Sequence, residues 1–318
     1  MNEKDPVMSN RPVTLLDVGP RDGLQNEEDR FTTDMKIDMV GRLVDAGVTR
    51  IEVASFAHPK VVPQMRDAEA VIAGLPDVAG VQYIGLVLNQ RGYHRALATR
   101  EGGKRGVDQV GCVSVMSETF SQKNQGMSLA ENLAASAEIL SLAKKDGMSA
   151  QVTLSAVAGC AFEGEIPVDR IVESAKRLAE HEPDEIALAD TIGVGVPAQI
   201  TDLFGRVREA VPGIPLRAHL HDTRNTGVAN AWAAYEAGVE TIDASIAGLG
   251  GCPFAPNATG NVATEDVVYT LDRSSVETGI DLEKLINITD WVAQVLGRPA
   301  AASVSRAGGF PQNKMAAG

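Results

Sequence analysis

The stretch VTLLDVGPRDGLQN, residues 13–26, begins with a short apolar run and ends in a polar cluster. Such a run is typical of a buried β-strand, and the glycines and the proline that follow it bend the backbone into a loop. Arg21, Asp22 and Gln25 belong to that loop, and binding and catalytic groups are often carried by loops of this kind. A tight turn with a surface salt bridge is the alternative, and the rest of the chain decides between the two.

Seven further runs of the same kind follow, and stretches with apolar residues at helical spacing separate them. Alternation of this kind is typical of repeated βα units on a parallel sheet, and eight units in about 250 residues predict a (β/α)8 TIM barrel. A doubly wound open sheet is the alternative, but no G-x-G-x-x-G follows the first strand. The predicted strands are residues 13–19, 50–56, 82–88, 109–115, 150–156, 185–191, 217–222 and 241–248.

The ends of the chain differ from this repeat. We predict a flexible N-terminus over residues 1–12, a barrel domain over residues 13–297, and a loosely ordered tail over residues 298–318. The domain includes one additional C-terminal helix, roughly residues 281–296.

Composition narrows the function classes. The chain of 318 residues is 44% hydrophobic and 22% charged, and no apolar run approaches the roughly 18 residues of a membrane span. The net charge of −13 argues against nucleic acid and anionic membranes as partners. Three cysteines without paired spacing do not predict a disulfide framework. The polar first dozen residues lack the features of a targeting peptide, and we expect a cytoplasmic protein.

Residues with chemical function follow the predicted strands at their C-terminal ends, where the active site of a TIM barrel lies. Scattered core polar residues would not all fall at one rim of the barrel. Besides the first loop, the set comprises Glu52, Asp190, His219, His221, Asp222, Cys252 and Asn261.

The motif AHLHD, residues 218–222, indicates a metal site. His219 and His221 alternate along one strand and therefore face the same side, although an isolated H-x-H is often a surface accident. Asp22 can add an anionic oxygen and Asn261 a neutral one. Two nitrogens and two oxygens with open positions suit a divalent ion such as Mg²⁺, Mn²⁺ or Co²⁺ better than a structural zinc ion.

The segment GLGGCPFAPNATGN, residues 248–261, is a long loop after the last predicted strand. Loops of this length without their own secondary structure usually serve as lids or binding loops. Cys252 lies between Gly and Pro and is well placed for proton transfer, whereas an inert cysteine in a phosphate-binding loop is the alternative. We expect Cys112 in the core and Cys160 at most near the site.

Taken together and in this order, these motifs closely resemble the 3-hydroxy-3-methylglutaryl-CoA lyase family, whose members are metal-dependent TIM-barrel enzymes. The resemblance runs from about residue 13 to residue 297, and its first and last motifs are the most specific. The motifs are DVGPRDGLQNE, IEVASF, PKVVPQM, DTIGVG, HLHDT and AGLGGCPFAPNATGN.

The resemblance implies retro-Claisen cleavage of 3-hydroxy-3-methylglutaryl-CoA to acetyl-CoA and acetoacetate. A divalent cation would chelate the C3 hydroxyl and the distal carboxylate, and His219 or Asp22 would remove the hydroxyl proton. Arg21 would stabilise the enolate oxygen, and Cys252 would protonate the enolate carbon. Glu52, Asp190 and Gln25 would orient or tune these groups. The metal ligands implied by the resemblance are Asp22, His219, His221 and Asn261.

Departures from the family pattern affect substrate identity more than chemistry. Thr153 stands where the family usually has Tyr, and Arg224 replaces a neutral aromatic residue. Arg298 and Lys123 are candidates for the CoA phosphates. We therefore also consider a sibling lyase for another 3-hydroxy-3-substituted acyl-CoA, and a catalytically silent acyl-CoA-binding barrel. An acyl-CoA is the expected partner, and a homo-oligomer, a dimer, is the expected assembly.

Overall fold

Eight parallel strands close into a barrel in the computed structural model of this chain, which describes residues 11–27, 30–252 and 255–311 and omits the side chains of residues 252–259. Each strand pairs with the next, and β8 pairs with β1 from Thr14↔Thr241 to Asp17↔Ala244. All eight predicted strands and the predicted barrel are confirmed. The strands are β1 Thr14–Asp17, β2 Arg50–Ser55, β3 Gln82–Leu86, β4 Gln109–Val115, β5 Ser149–Ser155, β6 Glu185–Asp190, β7 Leu216–Leu220 and β8 Thr241–Ala244.

Helices follow each strand and surround the barrel, and α10 is the predicted additional C-terminal helix. The helices are α1 Thr33–Asp45, α2 Ala68–Gly74, α3 Gln90–Ala98, α4 Glu118–Gln125, α5 Leu129–Asp146, α6 Val168–Ala179, α7 Pro197–Ala210, α8 Gly227–Glu236, α9 Thr264–Arg273, α10 Leu282–Leu296 and α11 Ser303–Ala307. Within the described residues, no helix has both the length and the apolar character needed to cross a membrane.

Local sequence signals explain where several helices begin and end. Ser128 starts α5 with a capping box, in which its hydroxyl binds the backbone of Glu131 and the Glu131 carboxylate binds back. The repeated D-A-G, K-D-G and E-A-G triplets end in Gly47, Gly147 and Gly238, whose φ angles are 99°, 67° and 93°. Glycine is favoured there because other residues rarely adopt positive φ. A helix-ending glycine with positive φ thus precedes a strand at three places in the chain.

The main hydrophobic core lies between the barrel and its helices, but much of the barrel interior is polar. At its lower end, Arg50 on β2 donates hydrogen bonds to Glu185 Oε1 at 3.1 Å and to Thr241 at 2.9 Å. TIM barrels usually fill this space with branched apolar side chains. The polar filling continues upwards to the mouth, where it meets the candidate site.

Two segments after the barrel strands differ from the sequence prediction. The eighth strand ends at Ala244, four residues early, because the chain enters a tight turn in which Ala247 has a φ of 63°. The loop predicted at residues 248–261 contains an antiparallel pair, β9 Gly251–Cys252 and β10 Ala255–Thr259.

The tail predicted to be loosely ordered contains one short helix, α11. Asp266 on α9 accepts hydrogen bonds from the first backbone amides of this helix, Ser303 at 2.9 Å and Val304 at 2.7 Å. These bonds satisfy amides that have no partner within the helix.

Candidate active site

The first loop of the barrel forms one tight turn of π-helix, Gly19–Gly23. A Cβ atom on Gly19 would lie 2.8 Å from both Asp17 Oδ1 and Ile246 Cγ2, and one on Gly23 would lie 2.7 Å from Leu249 Cβ. Only glycine fits at either position, because the turn packs closely against the segment that follows β8. The turn directs its two charged residues into the barrel mouth, so the surface-turn alternative is excluded.

Arg21 is buried between two carboxylates. Its Nε donates to Glu52 Oε2 at 2.7 Å and its Nη1 to Asp22 Oδ1 at 2.6 Å. Burial raises the pKa of Glu52 although Arg21 opposes this rise. The two carboxylates hold the guanidinium in one plane and one direction, which is the preorganisation that an oxyanion-stabilising group requires.

Asp22, His219, His221 and Asn261 meet at one point of the mouth. The Nε2 atoms of His219 and His221 face each other at 3.3 Å, and Asp22 Oδ2 lies 3.8 Å from His219 Nε2. Asp22 and the two histidines offer ligand atoms that all lie within 4.8 Å of one another. Asn261 donates its Nδ2 to Asp22 Oδ2 at 2.8 Å, so its amide must turn over to present oxygen to an ion.

The electrostatics of this cluster suit a divalent ion. Burial acts to raise the pKa of Asp22, but the charge of Arg21 and the nearby imidazoles outweigh it and lower the pKa. Burial and the neighbouring His219 lower the pKa of His221 to about 3. The cluster therefore supplies an ionised carboxylate and a neutral imidazole, the forms in which these groups bind metals. Two facing ring nitrogens cannot both carry hydrogen, and a cation between them removes that conflict.

Asp243 on β8 holds His219 in place and was missed in the sequence. Its Oδ2 lies 3.0 Å from His219 Nδ1 and also accepts a hydrogen bond from Arg217. Burial alone would lower the pKa of His219, but the bond and charge of Asp243 outweigh it and raise the pKa. Carboxylates that orient metal-binding histidines in this way are common. The pairing of β7 with β8 places Asp243 beside His219. This pairing can be derived only once the barrel and its register are known, so the sequence pattern alone did not point to Asp243.

A cavity of about 250 Å³ opens directly beside the cluster. The structure brings six of the predicted site residues to its wall and adds two buried residues of the barrel interior, Arg217 and Asp243. The six are Arg21, Asp22, Gln25, Glu52, Thr153 and His219.

Three predicted residues lie elsewhere. Asp190 accepts hydrogen bonds from the backbone amides of Val194 at 3.0 Å and Gly195 at 2.8 Å, so it shapes the loop after β6 and does not reach the cluster. The Lys123 ammonium lies 4.5 Å from the centroid of the Phe162 ring. Arg298 forms an ion pair with Glu27.

The cysteines can be assigned only in part. Cys112 is in the core, as predicted, and burial raises its pKa to about 12. The buried Cys160 contacts the Ser117 hydroxyl at 3.0 Å and does not line the cavity. The side chain of Cys252, the predicted proton donor, lies outside the described residues.

Comparison with known proteins assigns the barrel and its candidate site to a class of enzymes. The HMGL-like family profile matches residues 12–292, and the chain is a carbon–carbon lyase. It is 39% identical over 315 residues to (R)-citramalyl-CoA lyase of Chloroflexus aurantiacus, covering 94% of this chain and 96% of the relative. It is 38% identical to hydroxymethylglutaryl-CoA lyase of Bacillus subtilis, covering 91% of this chain and 95% of the relative.

A solved structure agrees with these relatives. The HMG-CoA lyase from Acinetobacter baumannii, in complex with coenzyme A and 3-methylmalate, superposes with a TM-score of 0.89 at 33% identity. The match covers 96% of this chain and 97% of that one. This protein therefore belongs to the HMGL-like family.

Proposed function

We propose that this protein cleaves 3-hydroxy-3-methylglutaryl-CoA to acetyl-CoA and acetoacetate by a retro-Claisen reaction that requires a divalent cation. The observation that carries the proposal is that a buried guanidinium, Arg21, and two of the metal donors, Asp22 and His219, line one cavity, with His221 completing the donor cluster beside it. Breaking a carbon–carbon bond next to a thioester needs both elements: a cation that receives the negative charge of the enolate, and a site that acidifies the hydroxyl.

The ion, Mg²⁺, Mn²⁺ or Co²⁺, would be held by Asp22, His219, His221 and Asn261, and when bound it would supply Lewis acidity to the C3 hydroxyl. The site fits such an ion because two ring nitrogens and a carboxylate oxygen converge there.

Of the two expected bases, Asp22 is the better candidate to take the hydroxyl proton. His219 has only Nε2 available, because Nδ1 is engaged by Asp243, and a nitrogen that binds an ion cannot also bind a proton. Each carboxylate oxygen of Asp22 keeps lone pairs beyond those used by Arg21 and Asn261. The lowered pKa of Asp22 means that it holds the proton only transiently.

Arg21 then stabilises the negative charge that develops on the thioester oxygen. Glu52 fixes the orientation of the guanidinium by accepting a hydrogen bond from Nε, and Asp22 accepts one from Nη1. Cys252 would complete the reaction by delivering a proton to the enolate carbon, and Gln25 and Thr153 would contact the substrate from the cavity wall. Lys123 and Arg298 remain candidates for the CoA phosphates, and a homodimer remains the proposed assembly.

A second candidate substrate is citramalyl-CoA, which the same chemistry would cleave to acetyl-CoA and pyruvate. Two observations favour it: the 39% identity to a citramalyl-CoA lyase, and a cavity floor where Thr153 bonds to Arg217 at 3.1 Å instead of presenting the aromatic residue usual in the family.

A substrate panel tests both candidates. Purified protein loaded with Mn²⁺ or Mg²⁺ is given each acyl-CoA, and acetyl-CoA and the released keto acid are quantified. We expect the highest kcat/KM with the methylglutaryl ester. A higher value with the citramalyl ester transfers the assignment to that substrate, and no cleavage of either ester refutes the proposed function.

A further inference from the structure

The floor of the active-site cavity carries a second buried guanidinium, that of Arg217 on β7. Arg217 lies two residues before His219 on the same strand, so it faces the same side about 7 Å deeper in the barrel. Arg21 lies on the wall of the same cavity. A cavity with buried cations at two of its faces is suited to an anion with two charged or polar ends.

The contacts of Arg217 fix its plane without using all its hydrogen-bond donors. Nε lies 3.0 Å from Glu185 Oε2, Nη1 donates to Asp243 Oδ2, and Nη2 donates to Thr153 Oγ1 at 3.1 Å. A guanidinium has five N–H groups, and each terminal nitrogen carries two. Nε is an ion-pair neighbour of Glu185 without a hydrogen bond to it. The hydrogen bonds of the described residues therefore account for one N–H on each terminal nitrogen, and each terminal nitrogen keeps a second.

The charges of the barrel interior point to the same ligand. Three guanidiniums alternate with four carboxylates, which leaves one negative charge, and a divalent ion changes this to one positive charge. A substrate head group with one carboxylate then restores neutrality, and an uncompensated buried charge is costly. The groups counted are Arg21, Arg50 and Arg217 against Asp22, Glu52, Glu185 and Asp243.

We propose that Arg217 is a specificity-determining residue that binds the substrate carboxylate through its two remaining N–H groups, with Thr153 and Asp243 holding its plane. This rests on the proposed function, and it differs from the metal chelation of the distal carboxylate that the family resemblance implies. Three fixed points then surround C3: the hydroxyl at the metal donors, the thioester at Arg21, and the carboxylate at Arg217. The class of substrate is a 3-hydroxyacyl-CoA with a carboxylate on its C3 branch, and a neutral branch is rejected.

The experiment compares 3-hydroxy-3-methylglutaryl-CoA with the analogue whose distal carboxylate is a carboxamide, which has the same shape without the charge. Wild-type protein should prefer the acid by about 10- to 150-fold in kcat/KM, the usual range for hydrogen bonds to a charged group. Arg217→Gln should reduce this preference to about threefold or less, and Arg217→Lys should give an intermediate value because it keeps the charge without the planar fork.

Lys36→Gln is the matched control. Lys36 on α1 is also a buried cation bound to a carboxylate, that of Asp67 at 2.7 Å, but it lies outside the barrel and does not line the cavity. This variant should therefore keep the wild-type preference for the acid. An Arg217→Gln variant that slows both substrates by the same factor would show that Arg217 acts only by positioning Asp243 and His219, and the proposal would be wrong.

Binding of free acids gives a second readout that does not depend on turnover. With Mn²⁺-loaded protein, calorimetry compares 3-hydroxy-3-methylglutarate with its monoamide. Wild type should bind the diacid more tightly, and Arg217→Gln should lose the difference. If wild type cleaves no acyl-CoA but still shows this Arg217-dependent discrimination, the proposed function fails and the carboxylate site stands. If wild type cleaves the ester and Arg217→Gln still discriminates between acid and amide like wild type, the proposed function stands and the carboxylate site at Arg217 is wrong.

Discussion

Replacement of Asp243 by Asn tests whether the site depends on the carboxylate behind His219. Oδ2 of Asp243 contacts both His219 Nδ1, at 3.0 Å, and Arg217, and the residue is 2% exposed. Asn keeps an oxygen for the imidazole but loses the charge. We expect Mn²⁺ affinity to fall about 10- to 100-fold, as for other groups that orient metal ligands. Loss of the ion pair with Arg217 should also reduce the free energy of unfolding by about 3–5 kcal/mol.

Isothermal titration with Mn²⁺ measures the first effect and urea unfolding the second. Asp17→Asn is the matched control: Asp17 is a buried carboxylate at the end of β1 that binds Thr264 at 2.7 Å and the Gly19 amide at 2.8 Å. Burial raises its pKa to about 7, so Asn resembles its protonated form, and we expect Mn²⁺ affinity close to wild type. Affinity within about twofold of wild type in Asp243→Asn would refute the dependence of His219 on this carboxylate.

Three further predictions concern other parts of the molecule. Arg21→Met should lower kcat about 10²- to 10³-fold while calorimetry still detects bound Mn²⁺, and near-normal turnover would exclude the oxyanion role. Burial raises the pKa of Glu265 from 4.5 to about 8, so its stabilising effect is complete below about pH 4.5 and is lost as pH rises through 8. In urea unfolding, the free energy of unfolding of wild type should therefore fall relative to that of Glu265→Gln between pH 5 and pH 9, by roughly 1.4 kcal/mol per unit of pKa shift. The same pH dependence in both proteins would contradict this. Lys123→Ala and Arg298→Ala should each raise KM for the CoA ester severalfold without changing kcat, and an unchanged KM in either variant removes that residue from the CoA site.

The fold could be predicted from the sequence because its signals are local. Each apolar run and each helix-ending glycine acts within a few residues, and eight repeats of the same pattern leave few arrangements possible. Strand 8 was predicted too long because Ile246 and Ala247 continue an apolar run, whereas hydrogen bonding of the Ala247 amide to Glu265 at 3.1 Å turns the chain away. That contact joins residues 18 positions apart, and no local pattern predicts it.

The candidate site divides in the same way. Arg21, Asp22, His219 and His221 could be predicted because loops and alternation place them at one rim of any barrel. Arg217 and Asp243 could not, because a polar residue inside an apolar strand becomes meaningful only when the neighbouring strand supplies its partner. Asp190 shows the limit of this reasoning: it lies at a strand end as predicted, but its side chain accepts a hydrogen bond from the amide of Gly195, and a role in tuning the metal donors stays a prediction.

The alternating charges inside the barrel have a consequence for how this protein can change. From His219 the contacts pass through Asp243, Arg217 and Glu185 to Arg50 near the opposite end. We call this chain of contacts the column. Replacing any one of its charged residues by a neutral one leaves a neighbouring charge of opposite sign without its partner, so tolerated substitutions should occur in coordinated pairs. A designer moving the metal donors onto another barrel would have to transplant the whole column with them.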